Sequence, residues 1–236
     1  MARKSLVSVV AEALMDDIVS GRPAVGEALP SEAEIGEAHE VSRVTVREAL
    51  RVLTTQGIIR VTSGIGSVVN PVDEWLSLSA MLRYRSAQDD DGEVATQLIA
   101  VRRMFESEAA ALAAERLTEA ALAELGACVA KMRETSAVGD VAGFVEADLR
   151  FHDLILLGSG NVFLRTMFEP LTRVLADRRA QTSQVPEIQR HAIAEHAAVL
   201  AGLRERDPAR ARTAMEHHMQ QTLEDLRSYV LGAPTV

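Results

Sequence analysis

The chain has 236 residues, 47% of them apolar and 3% aromatic, with a formal net charge of −9. This is enough apolar content for one large or two modest packed domains, which excludes a disordered polymer, and the acidic balance argues against indiscriminate nucleic-acid binding. No apolar run approaches the roughly 20 residues of a membrane span, and a single cysteine, Cys128, excludes an internal disulfide.

A lone cysteine suits a reducing cytoplasm. Cys128 shares the apolar register of Leu122, Leu125, Val129 and Met132, so it is read as core. The opening MARKSLVSVVAEALMDD carries acids too early for a signal peptide, and a cytoplasmic location is expected. Residues 5–20 then have helical periodicity, followed by the turn-rich connector GRPAVGEALP. Ser31, with Glu34 three residues on, is a capping box opening a short helix. After a tight turn at Val41, Ser42 can cap a third helix from Arg43 to about Gln56. Its inner face is Val46, Ala49, Leu50 and Leu53, and Gly57 stops it. IIRVTSGIGSVVN reads as two short strands around SGIG.

Helix, short helix, turn, helix and hairpin make a winged helix-turn-helix, in which the third helix enters the major groove. Over residues 42–57, Arg43, Arg47 and Arg51 face only Glu48, so positive charge is concentrated where it would be used. Arg43 and Arg47 lie one turn apart, opposite the buried stripe, and can reach guanine edges or phosphates. Thr45 and Ser42 add hydroxyls, and Gly64 with Gly66 lets the hairpin tip approach the backbone. The segment LPSEAEIGEAHEVSRVTVREALRVLTTQGIIRVTSGIGSVV resembles the N-terminal module of GntR-family transcriptional regulators over about residues 5–70. The resemblance implies that Arg43, Thr45, Arg47 and the wing near Gly64 face DNA. Ala33 stands where the family often has a DNA-touching arginine, so that contact is absent here.

Beyond Asn70-Pro71 the pattern turns helical, with an acidic linker at 86–92. Helices are expected near 73–85, 93–115, 118–135, 139–157, 161–182, 186–206 and 208–230, a set that suits an antiparallel bundle. The expected fold is therefore mainly α. A winged helix-turn-helix spans 1–70, a connecting helix and linker 71–92, and an all-α bundle 93–232.

Asp148 and His152 are spaced i, i+4 and share one helix face. Asp207-Pro208 marks a helix boundary, with His196 eleven residues before Asp207 and His218 eleven after. In an antiparallel hairpin, residues equidistant from the turn sit at one height, although this geometry does not separate His218 from His217. One carboxylate and three imidazoles would suit zinc, nickel or manganese.

VRRMFESEAAALAAERLTEAALAEL, FVEADLRFHDLILLGSGN and EHAAVLAGLRERDPARARTAMEHHM are together similar to the FCD effector domain of the FadR-type GntR subfamily, over about residues 93–230. The resemblance implies a metal on Asp148, His152, His196 and His218, zinc being expected first, and selects His218 over His217. It also implies a carboxylate-bearing effector. Arg102, in a V-R-x-x-x-E pattern with Glu106, is a candidate effector contact, its alternative being a surface ion pair with Glu106. Asn161 is a second candidate, its alternative being a helix cap. His191 and His39 are read as surface residues. The expected function is a homodimeric regulator, a repressor, on a palindromic operator in double-stranded DNA. The rival is a metal-dependent enzyme, but no phosphate loop or nucleophile constellation supports one.

Overall fold

The computed structural model describes residues 5–89 and 92–232, so Asp90 and Asp91 of the expected acidic linker lie outside the described residues. The chain divides into two compact units, 1–88 and 89–236.

In the first unit, α1 (Leu6–Val19) starts where Ser5 accepts the Ser8 N–H. The short α2 (Glu32–Ala38) opens on the expected box. Ser31 Oγ takes the Glu34 N–H at 3.3 Å, and the Glu34 carboxylate takes the Ser31 N–H at 2.8 Å. The third helix, α3 (Arg43–Thr55), is capped by Ser42 and buries Val46, Ala49, Leu50 and Leu53 against α1 and α2. Gly57 follows with φ +71°, and a Cβ there would stand 2.9 Å from the Glu74 carbonyl, so the chain needs glycine at this turn.

Strands β1 (Ile59–Thr62) and β2 (Gly66–Val69) pair antiparallel, from Ile59 opposite Val69 to Thr62 opposite Gly66. The connector expected to be irregular runs along the other edge of β2. Ala28 bridges Val68, and the Leu29 N–H bonds the Ser67 carbonyl at 2.8 Å. Its glycines and proline mask that pairing in the sequence.

The helix expected from residue 73 begins five residues later. A 3-10 turn (Val72–Glu74) comes first, and Ser77 then caps α4 (Leu78–Ala87). α4 packs on α1 and belongs to the first unit. Buried Trp75 anchors its start, donating to the Asn70 carbonyl at 3.1 Å and meeting Tyr84 edge-on at 5.3 Å.

The second unit is helical throughout its described residues: α5 (Glu93–Arg116), α6 (Glu119–Val138), α7 (Val141–Gly158), α8 (Val162–Thr182), α9 (Pro186–Arg204) and α10 (Pro208–Asp225). A π-helical turn (Leu226–Val230) extends α10. α6 pairs with α7 and α9 with α10, while α10 also lies along α5. On α5, Ala109, Ala110, Ala113 and Ala114 are fully buried; Met215 and Met219 of α10 are fully buried as well. Small side chains on one helix and long, pliable ones on the other let two axes approach closely.

The α9–α10 corner is tighter still. Arg206 takes a left-handed φ of 58°, Asp207 caps α10 through the Arg210 N–H at 3.0 Å, and Pro208 fills the first helical position. A Cβ on Gly202 would lie 2.9 Å from the Ala211 amide nitrogen and 3.0 Å from its Cα. Backbone cannot yield as a side chain can, so Gly202→Ala is expected to cost about 1–3 kcal/mol, read as a lower Tm in thermal unfolding. An unchanged Tm would mean that the two helices can separate freely at this point.

Candidate metal centre and nucleic-acid interface

The bundle brings the four residues singled out in its sequence together. Asp148 and His152 come from α7, His196 from α9 and His218 from α10, and all four are buried. One ligating atom from each of the three histidines lies within 4.8 Å of the others. The rings of His196 and His218 are 4.4 Å apart, centroid to centroid, and that of His152 is 5.0 Å and 5.3 Å from them. Asp148 Oδ1 stands 3.1 Å from His196 Nε2 and 3.8 Å from His152 Nε2. His217, which hairpin symmetry alone could not set aside, points outward and pairs with Glu195 at 2.7 Å.

Two of the imidazoles are oriented from behind. His196 Nδ1 donates to the Ala192 carbonyl at 2.6 Å, and His152 Nδ1 contacts the Glu106 carboxylate. The Nε2 atoms of His152, His196 and His218 are buried without a hydrogen-bond partner among the described residues. Buried polar atoms are normally satisfied, so three converging orphans mark a place for a shared electrophile. Ring nitrogens held on one side by a carbonyl or carboxylate present the other lone pair outward, the usual setting of metal-ligating histidine.

Burial, reinforced by the neighbouring imidazoles, holds His196 and His218 well below the ordinary histidine value of 6.5. Both are therefore neutral imidazoles at neutral pH. The unfolded chain takes up protons on these histidines below about pH 6.5 while the folded one resists, so stability falls with acidification. Denaturant titrations of metal-free protein are expected to show this loss as pH drops from about 7.5 to 5.5. The raised His217, favoured by its bond to Glu195, works in the opposite sense, but as an exposed pair it is screened. A stability that rose on acidification would contradict the packing of the imidazoles.

Two arginines and a glutamate surround the cluster. Arg102 and Glu106, on α5, form a fully buried ion pair at 2.7 Å, not the exposed one that was the sequence alternative. Burial opposes ionisation of Glu106, but Arg102, His152 and Arg179 together outweigh it and hold the carboxyl well below the usual carboxylate range. Arg102 Nη2 is buried with no partner among the described residues. The Arg179 guanidinium, on α8, contacts Asp148 Oδ2. Sequence reasoning missed Glu106 as a support of His152 and missed Arg179 altogether. Asn161 is the cap of α8, its Oδ1 accepting the Phe163 and Leu164 N–H groups. His191, read as a surface residue, is half-exposed and bonds buried Asp225 at 2.8 Å. Cys128 is buried, as its register implied.

On the first unit, Arg43, Arg47 and Arg51 are exposed on α3. Arg47 Nε bonds Glu32 Oε2 at 2.8 Å. Thr45 and Ser42 share a hydroxyl bond at 3.0 Å beside them. Gly64 sits at the tip of the β1–β2 turn with φ +77° and nothing close to it. An open groove of about 520 Å³ separates α3 from this wing, with Arg47, Arg51 and Ser67 on its walls. Val61 and Ile65 are exposed on its walls and Val44 is exposed on α3, none of them anticipated; a valine facing water at a recognition helix can meet a thymine methyl.

Two family descriptions match the chain: "Bacterial regulatory proteins, gntR family" over residues 6–69 and "FCD domain" over residues 97–221. The HTH-type transcriptional repressor NanR of Cronobacter sakazakii is 30% identical, over 93% of this chain and 84% of its own. The galactonate operon transcriptional repressor of Escherichia coli is 29% identical, over 80% and 83% respectively. A solved structure of Lar from Listeria monocytogenes shares the fold at 20% identity, with a TM-score of 0.66, covering 97% of this chain and all of the other. Among the described residues, no helix is long and apolar enough to cross a membrane. These relatives are named as regulators, not enzymes. The chain belongs to the GntR family of bacterial transcriptional regulators, as a DNA-binding helix-turn-helix module followed by an FCD domain, the arrangement of the FadR-type subfamily.

Proposed function

We propose that this regulator is a repressor that binds a palindromic operator as a homodimer and changes its grip on DNA when a small organic acid enters the bundle beside a metal ion. The observation that carries the sensing half is the trio of buried, unpartnered imidazole nitrogens with Asp148 at their edge. Three nitrogens and one oxygen fit zinc, with nickel or manganese as alternatives, and a bound ion would act as a Lewis acid holding an anionic ligand. Asp148, His152, His196 and His218 would hold it. Glu106 and the Ala192 carbonyl would keep two of the rings in place.

Charge supports an anionic effector. Arg102 and Arg179 balance Glu106 and Asp148, and imidazoles that ligate a metal are neutral, so a divalent cation leaves a buried positive surplus. An uncompensated buried charge is costly, and a carboxylate offsets it. Arg102, with its free Nη2, is the second contact; Asn161 is left to its capping role. Repression is supported by the relatives named as repressors. For DNA, Arg43, Thr45, Arg47, Ser42 and the tip at Gly64 line the face toward the groove.

An effector shifts the balance of DNA-competent and incompetent states only by its differential affinity for them. The test is a gel-shift titration of a retained genomic fragment with metal-loaded protein and a panel of organic acids. At least one acid should weaken the complex, and chelation should remove its effect. Indifference to every acid that binds the bundle would overturn the reading.

A further inference from the structure

We infer that the effector is a short aliphatic monocarboxylate and not a polyhydroxylated acid. This rests on the acid-responsive reading above and narrows it. Beside the metal centre, Arg102 and Arg179 also line a cavity of about 80 Å³. Its remaining walls are mostly apolar: Leu98 and Ile99 of α5, Ile188 of α9, and Leu226 and Val230 of the π-helical turn. The two guanidiniums thus have the acidic and imidazole cluster on one side and hydrocarbon on the other.

Arg102 supplies the independent sign of a ligand. Its side chain is 3% exposed, its Nε is committed to Glu106, and its Nη2 has no partner among the described residues. A carboxylate on that nitrogen would satisfy a buried cationic donor, which gives a strong bond for little reorganisation. The rest of the molecule must then suit the walls.

Several polar groups there are already engaged. Thr222 donates to the His218 carbonyl at 2.9 Å, and Thr182 to the Arg179 carbonyl at 3.3 Å. Asp225 Oδ1 is bonded to His191 and Gln221 at 2.8 Å and 3.0 Å. Hydroxyls of a sugar-like acid would lose water and meet mainly hydrocarbon, the arrangement that discriminates most strongly against a polar ligand. Size limits the chain as well: a water-sized group needs about 10–15 Å³ of such space, so the cavity offers room for roughly five to eight such groups. Val230 is exposed and Ile188 half-buried, so a slightly longer or branched tail can be accepted on their side.

The test is calorimetry and thermal shift on the full, metal-loaded chain with acetate, butyrate, 3-methylbutyrate, gluconate and 1-butanol. Each buried methylene is worth about fourfold in affinity, so butyrate should bind roughly tenfold or more tighter than acetate. Gluconate and 1-butanol should bind at least tenfold more weakly than butyrate. Ile188→Asn should erase most of the gain of butyrate over acetate; should that variant not fold, the wild-type series decides alone. Gluconate matching or exceeding butyrate would overturn the assignment while leaving an acid-responsive regulator. 1-Butanol matching butyrate would overturn the role of the arginines. Binding of none of the acids would overturn both this inference and the reading beneath it.

Discussion

In His196→Ala, metal content is expected to fall from one ion per chain to background, and the stabilisation that metal confers on the wild type is expected to vanish. The imidazole is fully buried, its Nδ1 is tied to Ala192, and its Nε2 stands closer to Asp148 than that of His152. No neighbouring side chain can replace it, because His217 faces away. At a metal concentration a thousandfold above Kd the ion stabilises the native state by about 4 kcal/mol. For a domain of this size that corresponds to a Tm difference of about 8–15 °C, present in the wild type and absent in the variant. The metal-free proteins should differ much less, since the variant loses a ring but relieves the crowding of three imidazoles. If His196 were only a packing residue, the pattern would invert: a lower Tm in the metal-free variant and no metal-dependent shift in either protein.

Arg47→Ala is expected to leave folding intact and weaken specific operator binding by about 1–3 kcal/mol, read by fluorescence anisotropy against the wild type. Its side chain is 67% exposed and projects from α3 beside the groove, so little packing is lost. The ion pair with Glu32 sets up a second expectation. A base edge or phosphate must either displace the carboxylate or accept Arg47 while it is held. In the first case Glu32→Gln tightens DNA binding; in the second it loosens it by freeing the guanidinium. An Arg47→Ala protein with wild-type affinity would remove α3 from the interface and contradict the placement of the recognition helix.

Much of this arrangement was legible in the sequence because it follows from local rules. Ser31 and Glu34 announce α2, Ser42 announces α3, and i, i+4 spacing puts Asp148 beside His152. The equal distances of His196 and His218 from Asp207 place them face to face once the helices fold back, and Gly202 explains why that fold can be so tight. What stayed hidden depends on tertiary burial. Arg102 and Glu106 look like an exposed helical pair, since charged residues are rarely buried, and only packing of α5 in the bundle turns them inward. Arg179 gives no signal on an amphipathic helix rich in arginine. Residues 26–29 were obscured differently, because glycine and proline suggest a turn even where the backbone pairs with β2.

A ligand-bearing metal centre in the bundle is proposed to govern the grip of the helix-turn-helix on DNA. The most direct measurement compares affinity for a retained genomic fragment in wild type and His218→Ala, each with and without the acid that stabilises the metal-loaded protein. A change of about tenfold or more is expected in the wild type, within the usual range of allosteric coupling, and none in the variant. An equal response in both proteins, or none in the metal-loaded wild type, would contradict it.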